Sequence, residues 1–242
     1  MSDSILFSFL IDFSIILSSI NTVSLSEAWN SMSTSHLIHE KQSLIKSLNN
    51  KMFSRVFNIS TKIKLNEILI ERKECEEKGK NYEHASLTKK GVVPKTEQFN
   101  RDFLVRDKDK KYKICRYDDI AYNPANLKYG VITRNKYKDI IFSPIYVTFK
   151  VRDSYNAHYI ELIMTSKNFM NRALQYQQGS IYERMAVSPK DLLSIKVPTP
   201  NIEIQNKISY IIKNIEAAYD NSCKTCNELL LLKKHFLDKF FI

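Results

Sequence analysis

The sequence predicts a mixed α/β module flanked by long N- and C-terminal helices that pair as an antiparallel coiled coil. Three observations predict it. Residues 61–200 break into short runs rich in Val, Ile, Tyr, Phe and Thr, bounded by Asn, Asp, Pro and Gly. Residues 202–241 carry apolar side chains at the spacing of a helix. Finally, "LIKSLNNKMF" (44–53) aligns with "LKKHFLDKFF" (232–241), so two similar helix ends bracket the central module. The expected divisions are a helical region at 1–60, the α/β module at 61–200 and a terminal helix at 201–242.

The first region opens with "ILFSFLIDFSIILSSI" (5–20). This run falls short of the ~20 residues that span a bilayer, and Asp12 sits inside it. The first basic residue is Lys41, so the charged start of a signal peptide is missing. Leu6, Leu10, Phe13, Leu17 and Ile20 line one face, as in a mostly buried amphipathic helix. A second helix, 36–57, aligns Leu37, Leu44, Leu48, Met52 and Val56.

In the module, strands are expected at "YEHASLT", "YKICRY", "DIAYN", "YGVITR", "PIYVTFKV" and "LLSIKVP". One helix, "NAHYIELIMTSKNFMNRALQYQ" (156–177), interrupts them. Pro198 and Pro200 end the last strand, because proline fixes φ and biases the residue before it away from helix. The terminal helix follows, with Asn201 as N-cap and Glu203 in its first turn. Ile208, Ile212, Ile215, Tyr219, Leu230 and Phe240 mark its apolar stripe. At 1.5 Å per residue it is about 60 Å long and needs a partner helix, supplied by Leu44, Leu48 and Met52.

Charge is uneven. The chain carries +11 overall. Residues 1–60 are neutral and 201–242 carry +1, so 61–200 hold the rest. A neutral–basic–neutral chain points to a central module facing a polyanion.

Several chemistries are excluded. Four glycines, Gly79, Gly91, Gly130 and Gly179, are too scattered for a phosphate-cradling loop. Cys223 and Cys226 form a CxxC, but Cys75 and Cys115 stand alone, so no zinc set is complete. The thiols read as those of a reduced, cytoplasmic protein. "YNPAN" (122–126) is near the Asn-Pro-Pro-Tyr of amino-methyltransferases, but it lacks the second proline and the stacking aromatic. His36, His39, His84, His158 and His235 are dispersed, and nothing assembles into nucleophile, base and orienter.

A binding surface does assemble. "NPANLKYGVITRNKYK" offers Asn123, Asn126, Lys128, Arg134, Asn135, Lys136 and Lys138. "QYQQGSIYER" offers Gln178, Ser180, Tyr182 and Arg184, and "LTKKG" offers Thr88, Lys89 and Lys90. Asn and Gln suit adenine edges, Arg suits guanine, and Lys suits phosphates. The lysines are expected to supply affinity. Thr88, Asn126, Arg134, Asn135, Gln178 and Tyr182 are expected to supply base readout.

The order of motifs carries a resemblance. "KYKICRYDDIAYNP…YGVI…IIFSPIYVTFKV", then "QGSIYERMAV", then "LLSIKVPTPNIEIQNKISYIIKNIE" resembles the specificity subunit of type I restriction–modification systems. The matching positions are Asp118-Asp119, where the family has Gly-Asp, then Tyr122-Asn123-Pro124, then Ser143-Pro144 with Tyr146. Gly179, Ser180 and Arg184, and then Pro198, Pro200 and Gln205, complete the order. "KQSLIKSLNNKMFSRVF" is similar to the close of the family's conserved spacer helix.

The resemblance implies a non-catalytic DNA target-recognition domain between helices that measure spacing and dock the methyltransferase subunit. It implies double-stranded DNA, the methyltransferase subunit and the restriction subunit as partners. S-adenosylmethionine, ATP and Mg would belong to those subunits, with no cofactor on this chain. The chain departs by carrying one recognition domain, so a bipartite site calls for a homodimer or a second half-subunit. Ala125-Asn126 also replace the Arg that often follows Tyr-Asn-Pro in the family. The other readings are a stand-alone sequence-specific DNA-binding protein and a peripheral membrane protein led by residues 5–20.

Overall fold

A computed structural model describes Ser43 and residues 60–77, 81–89, 91–95, 111–178 and 185–240. The chain divides into two compact units. One is Phe53–Asn206, and the other includes Lys207–Ile242. The helices expected at 5–20 and 36–57, and Leu44, Leu48 and Met52, lie outside the described residues.

In the first unit the order is β1 (Lys62–Lys64), α1 (Leu65–Ile68), β2 (Leu69–Glu71), β3 (Cys75–Glu77), β4 (Glu83–Thr88) and β5 (Gly91–Pro94). Then come β6 (Lys111–Cys115), β7 (Ile120–Tyr122), a 3-10 helix (Pro124–Tyr129), β8 (Ile132–Arg134), β9 (Ile140–Phe142) and β10 (Val147–Val151). The unit closes with α2 (Ala157–Thr165), α3 (Lys167–Leu174), α4 (Pro189–Ser194), β11 (Lys196–Pro198) and the start of α5 (Ile202–Phe240). This is the mixed α/β class that the sequence predicts.

Among the described residues three sheets form, ordered β1-β11, β2-β10-β7-β8 and β3-β6-β9-β4-β5. All strand pairs are antiparallel except β4 with β9, where Glu83 faces Ile140. Each expected strand run contains a strand. The last is shorter than expected, because Leu192–Ser194 belong to α4, which Ser188 caps by accepting from Asp191 N at 3.1 Å.

The helix expected at 156–177 is two helices. Ser166 is extended (φ −67°, ψ 147°) and its hydroxyl accepts from Phe169 N at 3.3 Å, so it ends α2 and caps α3. Serine competes for backbone donors and favours such a cap over a helix interior.

Aromatic residues fill the core. Tyr122, Tyr159, Phe142 and Phe149 are fully buried. Tyr122 stacks on Phe149 with centroids 5.9 Å apart and planes at 11°. Such a pair adds about 1 kcal/mol beyond the area it buries. Tyr122 donates its hydroxyl to Val187 O at 3.1 Å and Tyr159 to Pro198 O at 3.1 Å, so neither phenol is orphaned. Burial pushes both phenols above the usual tyrosine range.

The Pro-Thr-Pro junction is fixed by side chains. Thr61 and Thr199 exchange backbone and hydroxyl hydrogen bonds beside the β1–β11 pair. Asn201 accepts from Ile204 N at 3.0 Å, the N-cap that the sequence predicts. Gln205, almost fully buried, donates to Pro200 O at 2.8 Å and accepts from Asn156 N at 3.0 Å. Asn156 in turn caps α2, accepting from Tyr159 N at 2.9 Å. The spacing from Pro198 to Gln205 thus ties the strand end, the start of α5 and the start of α2 into one joint.

In the second unit α5 continues to Phe240. Ile208, Ile212 and Ile215 are buried, as is Ile211, while Tyr219 and Leu230 are half-buried. The side chain of Phe240 lies outside the described part. Among the described residues no helix is long and apolar enough to cross a membrane, and no cluster of metal-ligating side chains forms.

Candidate nucleic-acid interface

The β7–β8 hairpin sorts the expected contact residues into two groups. Ile120 faces Arg134 and Tyr122 faces Ile132. Residues 123–131 therefore lie at one end of the hairpin, and 116–119 with 135–139 lie at the other. Strands β4 and β9 run parallel, so Glu83 falls beside 139–140 and Thr88 extends toward the 3-10 helix.

At the first end the 3-10 helix starts at Asn123, whose side chain accepts from Ala125 N at 3.1 Å and Asn126 N at 3.3 Å. Pro124 follows as its first residue, where a missing N–H costs nothing. It ends at Gly130, whose φ of 76° favours glycine. This turn leaves Asn126, Lys128 and Tyr129 exposed. The β4–β5 connection arrives beside it. Thr88 donates its hydroxyl to Gly91 O at 3.0 Å, and Lys89 Nζ stands 5.5 Å from the Tyr129 ring centroid. Lys128 Nζ stands 5.0 Å from the same ring.

Gln178 reaches this end through a backbone bridge to Ala186, next to Val187, whose N–H donates to Pro124 O at 3.2 Å. The Gln178 side chain donates to Asp191 at 3.4 Å. Lys90, Ser180, Tyr182 and Arg184 lie outside the described residues.

The second end is a lattice of ion pairs. Arg134 is 8% exposed; it donates through Nε to Glu161 Oε2 at 3.1 Å and through Nη1 to Asp118. Burial works against its charge, but Glu161 and Asp118 outweigh that and raise its pKa. Lys136 also pairs with Glu161, at 3.2 Å. Lys138 pairs with Glu83 at 2.8 Å, which raises the lysine and lowers the carboxylate from their usual ranges.

Asn135 is fully buried and donates to Cys115 O, Arg116 O and Lys138 O, at 3.3, 3.0 and 2.7 Å. The expectation that Arg134 and Asn135 read bases is therefore corrected. Both are internal, and their polar groups are satisfied within the protein. Asn123 is corrected likewise, since it is buried and caps the turn. Lys136 and Lys138 are exposed but already neutralised.

Asp118 and Asp119 organise this second end. Asp118 has φ 67°, the left-handed region where glycine is favoured. Asp119, almost fully buried, accepts from Arg72 Nε at 2.6 Å, Arg72 Nη2 at 2.9 Å and Arg116 N at 2.8 Å. The hydrogen bond to Asp119 raises Arg72 above its ordinary range. Arg72 and Arg116 both hold Glu74, at 2.9 and 2.8 Å, and so keep its carboxyl below the usual range. A cleft of about 700 Å³ opens beside these groups, lined also by Arg152, Tyr155, Asn156 and Ile202.

The two ends thus differ in charge state. At the second, each of Arg72, Arg116, Arg134, Lys136 and Lys138 meets a carboxylate. At the first, Lys89 and Lys128 have none among the described residues, and Asn126 is exposed beside them. Tyr129, one of the tyrosines interleaved with the basic residues of this stretch, stands exposed between the two lysines. In the Lys-Tyr-Gly of 128–130 the glycine is the stop of the 3-10 helix and the tyrosine its last, exposed residue.

No protein-family model matches the chain, and no curated protein does. Solved structures do. An HsdS subunit from Thermoanaerobacter tengcongensis matches with a TM-score of 0.51 at 14% identity, covering 96% of this chain and 56% of that one. A chain from a structure of the type I R-M system, concerned with its complex assembly and conformational transition, matches with a TM-score of 0.54 at 16% identity. That match covers 95% of this chain and 59% of the other. A weaker match, with a TM-score of 0.45 and 15% identity, is the type I restriction-modification system S subunit from M. genitalium. The chain spans a little over half of the length of the structures it matches. At this identity the likeness speaks for the fold, and it agrees with the order of motifs: the chain has the fold of the specificity subunits of type I restriction–modification systems.

Proposed function

We propose that this chain is a DNA sequence-recognition subunit of a type I restriction–modification complex and reads one half-site with its α/β module. The observation that carries the reading is the convergence of Lys89, Asn126, Lys128 and Tyr129 at one end of a specificity-subunit fold, where neither ammonium group meets a carboxylate among the described residues. Free cations supply backbone affinity, and exposed amide and aromatic groups among them supply base contact. Gln178 belongs to the same end.

In this reading the chain performs no catalysis. The methyltransferase subunit, with S-adenosylmethionine, and the restriction subunit, with ATP and Mg, act where it places them. The long α5 helix and residues 1–60 are the docking and spacing elements, and a second copy or second half-subunit supplies the other half-site.

Co-expression with a type I methyltransferase subunit from the same genome tests this. The two chains are expected to co-purify and to bind a duplex selected from a randomised pool more tightly than a scrambled one. Separate elution, with no sequence preference, would refute the reading.

A further inference from the structure

Among the described residues Tyr129 is the exposed aromatic of the lysine-bearing end, at 53%. Two ammonium groups from different segments share its ring, at 5.5 Å for Lys89 and 5.0 Å for Lys128. Two like charges held beside one ring repel each other, and no carboxylate among the described residues relieves them. Each exposed cation–π contact is weak, whereas an ammonium–phosphate hydrogen bond is charge-assisted and stronger. A nucleic-acid backbone therefore competes well for both lysines and uncovers the ring when it wins. Gly130, at φ 76°, ends the 3-10 helix directly after the tyrosine.

We propose that Tyr129 is the groove-contacting side chain of this end, covered by Lys89 and Lys128 in the free protein and released to the bases as they move to flanking phosphates. The inference rests on the DNA-recognition reading above. It makes Tyr129 a specificity element and the two lysines affinity elements, and it identifies the ring rather than the hydroxyl as the contact.

Binding of the full chain to a selected duplex and to a scrambled duplex of equal length separates these roles. Tyr129→Ala is expected to weaken the selected duplex about tenfold or more, the size of the loss from one mismatched base pair. It should leave the scrambled duplex and the salt dependence of binding nearly unchanged. Tyr129→Phe should keep most of the preference. On the unaltered chain, nitration of Tyr129 by tetranitromethane should be suppressed by the selected duplex and much less by the scrambled one, which tests the contact without a substitution. Equal loss on both duplexes, no loss, or nitration indifferent to DNA would overturn the inference and leave the DNA-recognition reading standing. Absence of any preferred duplex for the unaltered chain would overturn both.

Discussion

Arg134 and Glu161 form a buried ion pair between β8 and α2, with Nε to Oε2 at 3.1 Å and both side chains under one-tenth exposed. The Glu161 carboxylate also accepts from the Arg134 backbone N–H at 3.3 Å and from the Thr133 hydroxyl at 3.0 Å. The pair is thus part of the frame that holds the β8–β9 segment. Removing Arg134 leaves the buried Glu161 carboxylate with the exposed Lys136 as its remaining cationic partner and strips its best-buried one. Arg134→Ala should therefore cost about 2 kcal/mol or more of stability, below the full cost of an uncompensated buried charge because Lys136 remains. Urea titration checks the size, and duplex binding under folding conditions should show an unchanged ratio of selected to scrambled affinity. A selective loss of the selected duplex at full stability would return Arg134 to base readout.

Asp118 stands at φ 67° where the resembled family has glycine, and its carboxylate pairs with Arg134. Asp118→Gly loses the pair but relaxes the backbone. Asp118→Ala loses the pair and keeps the strained φ. The alanine variant should be the less stable of the two by about 1 kcal/mol, measured by urea or thermal unfolding. Equal stabilities would mean that the backbone there carries no strain.

The two ends of the hairpin should differ in counterion release. Lys89→Ala and Lys128→Ala should each lower the slope of log K against log salt by roughly one. Lys136→Ala and Lys138→Ala should lower it by less, because Glu161 and Glu83 already hold those ammonium groups at 3.2 and 2.8 Å. Titration of a short duplex at several salt concentrations distinguishes the four. Equal slopes would place DNA across both ends.

The Glu74 carboxyl is held below its ordinary range by hydrogen bonds from Arg116 and Arg72. A carboxylate depressed by folding adds stability above its unfolded pKa, and that stability is lost as pH falls through the lower folded value. Glu74→Gln should flatten the acid limb of the stability profile below about pH 4 and reduce stability slightly at neutral pH. Thermal melts from pH 2 to 7 read this directly. An acid limb identical in the two proteins would show that the pairing contributes nothing.

The elements legible in the sequence are those whose signal is local. β6, β7, β8 and β10 are rich in β-branched and aromatic residues, and Asn201 is followed by an apolar stripe. Less legible were β1, β2 and β3, three-residue strands containing Lys or Glu whose pairing is set far along the chain, as in Lys62 with Pro198. The split at Ser166 was present as a cap signal inside an otherwise continuous helical pattern. Within the site, the exposed cations at 89 and 128 followed from loop composition. The burial of Arg134 and Asn135 did not, because Glu161 lies 27 residues from Arg134 and Cys115 O lies 20 residues from Asn135. Spacing within a loop does not reveal which side chains the rest of the fold will claim.

The central claim is that this chain directs methylation to a DNA sequence through the end bearing Lys89, Asn126, Lys128 and Tyr129. The decisive measurement is a genome-wide methylation map of cells co-expressing the chain and a type I methyltransferase subunit from the same genome. The account predicts a new methylated motif that appears with the unaltered chain and is lost or much reduced with the Lys89→Ala, Lys128→Ala double variant, itself folded. No new motif, or one equally strong with the double variant, would contradict it.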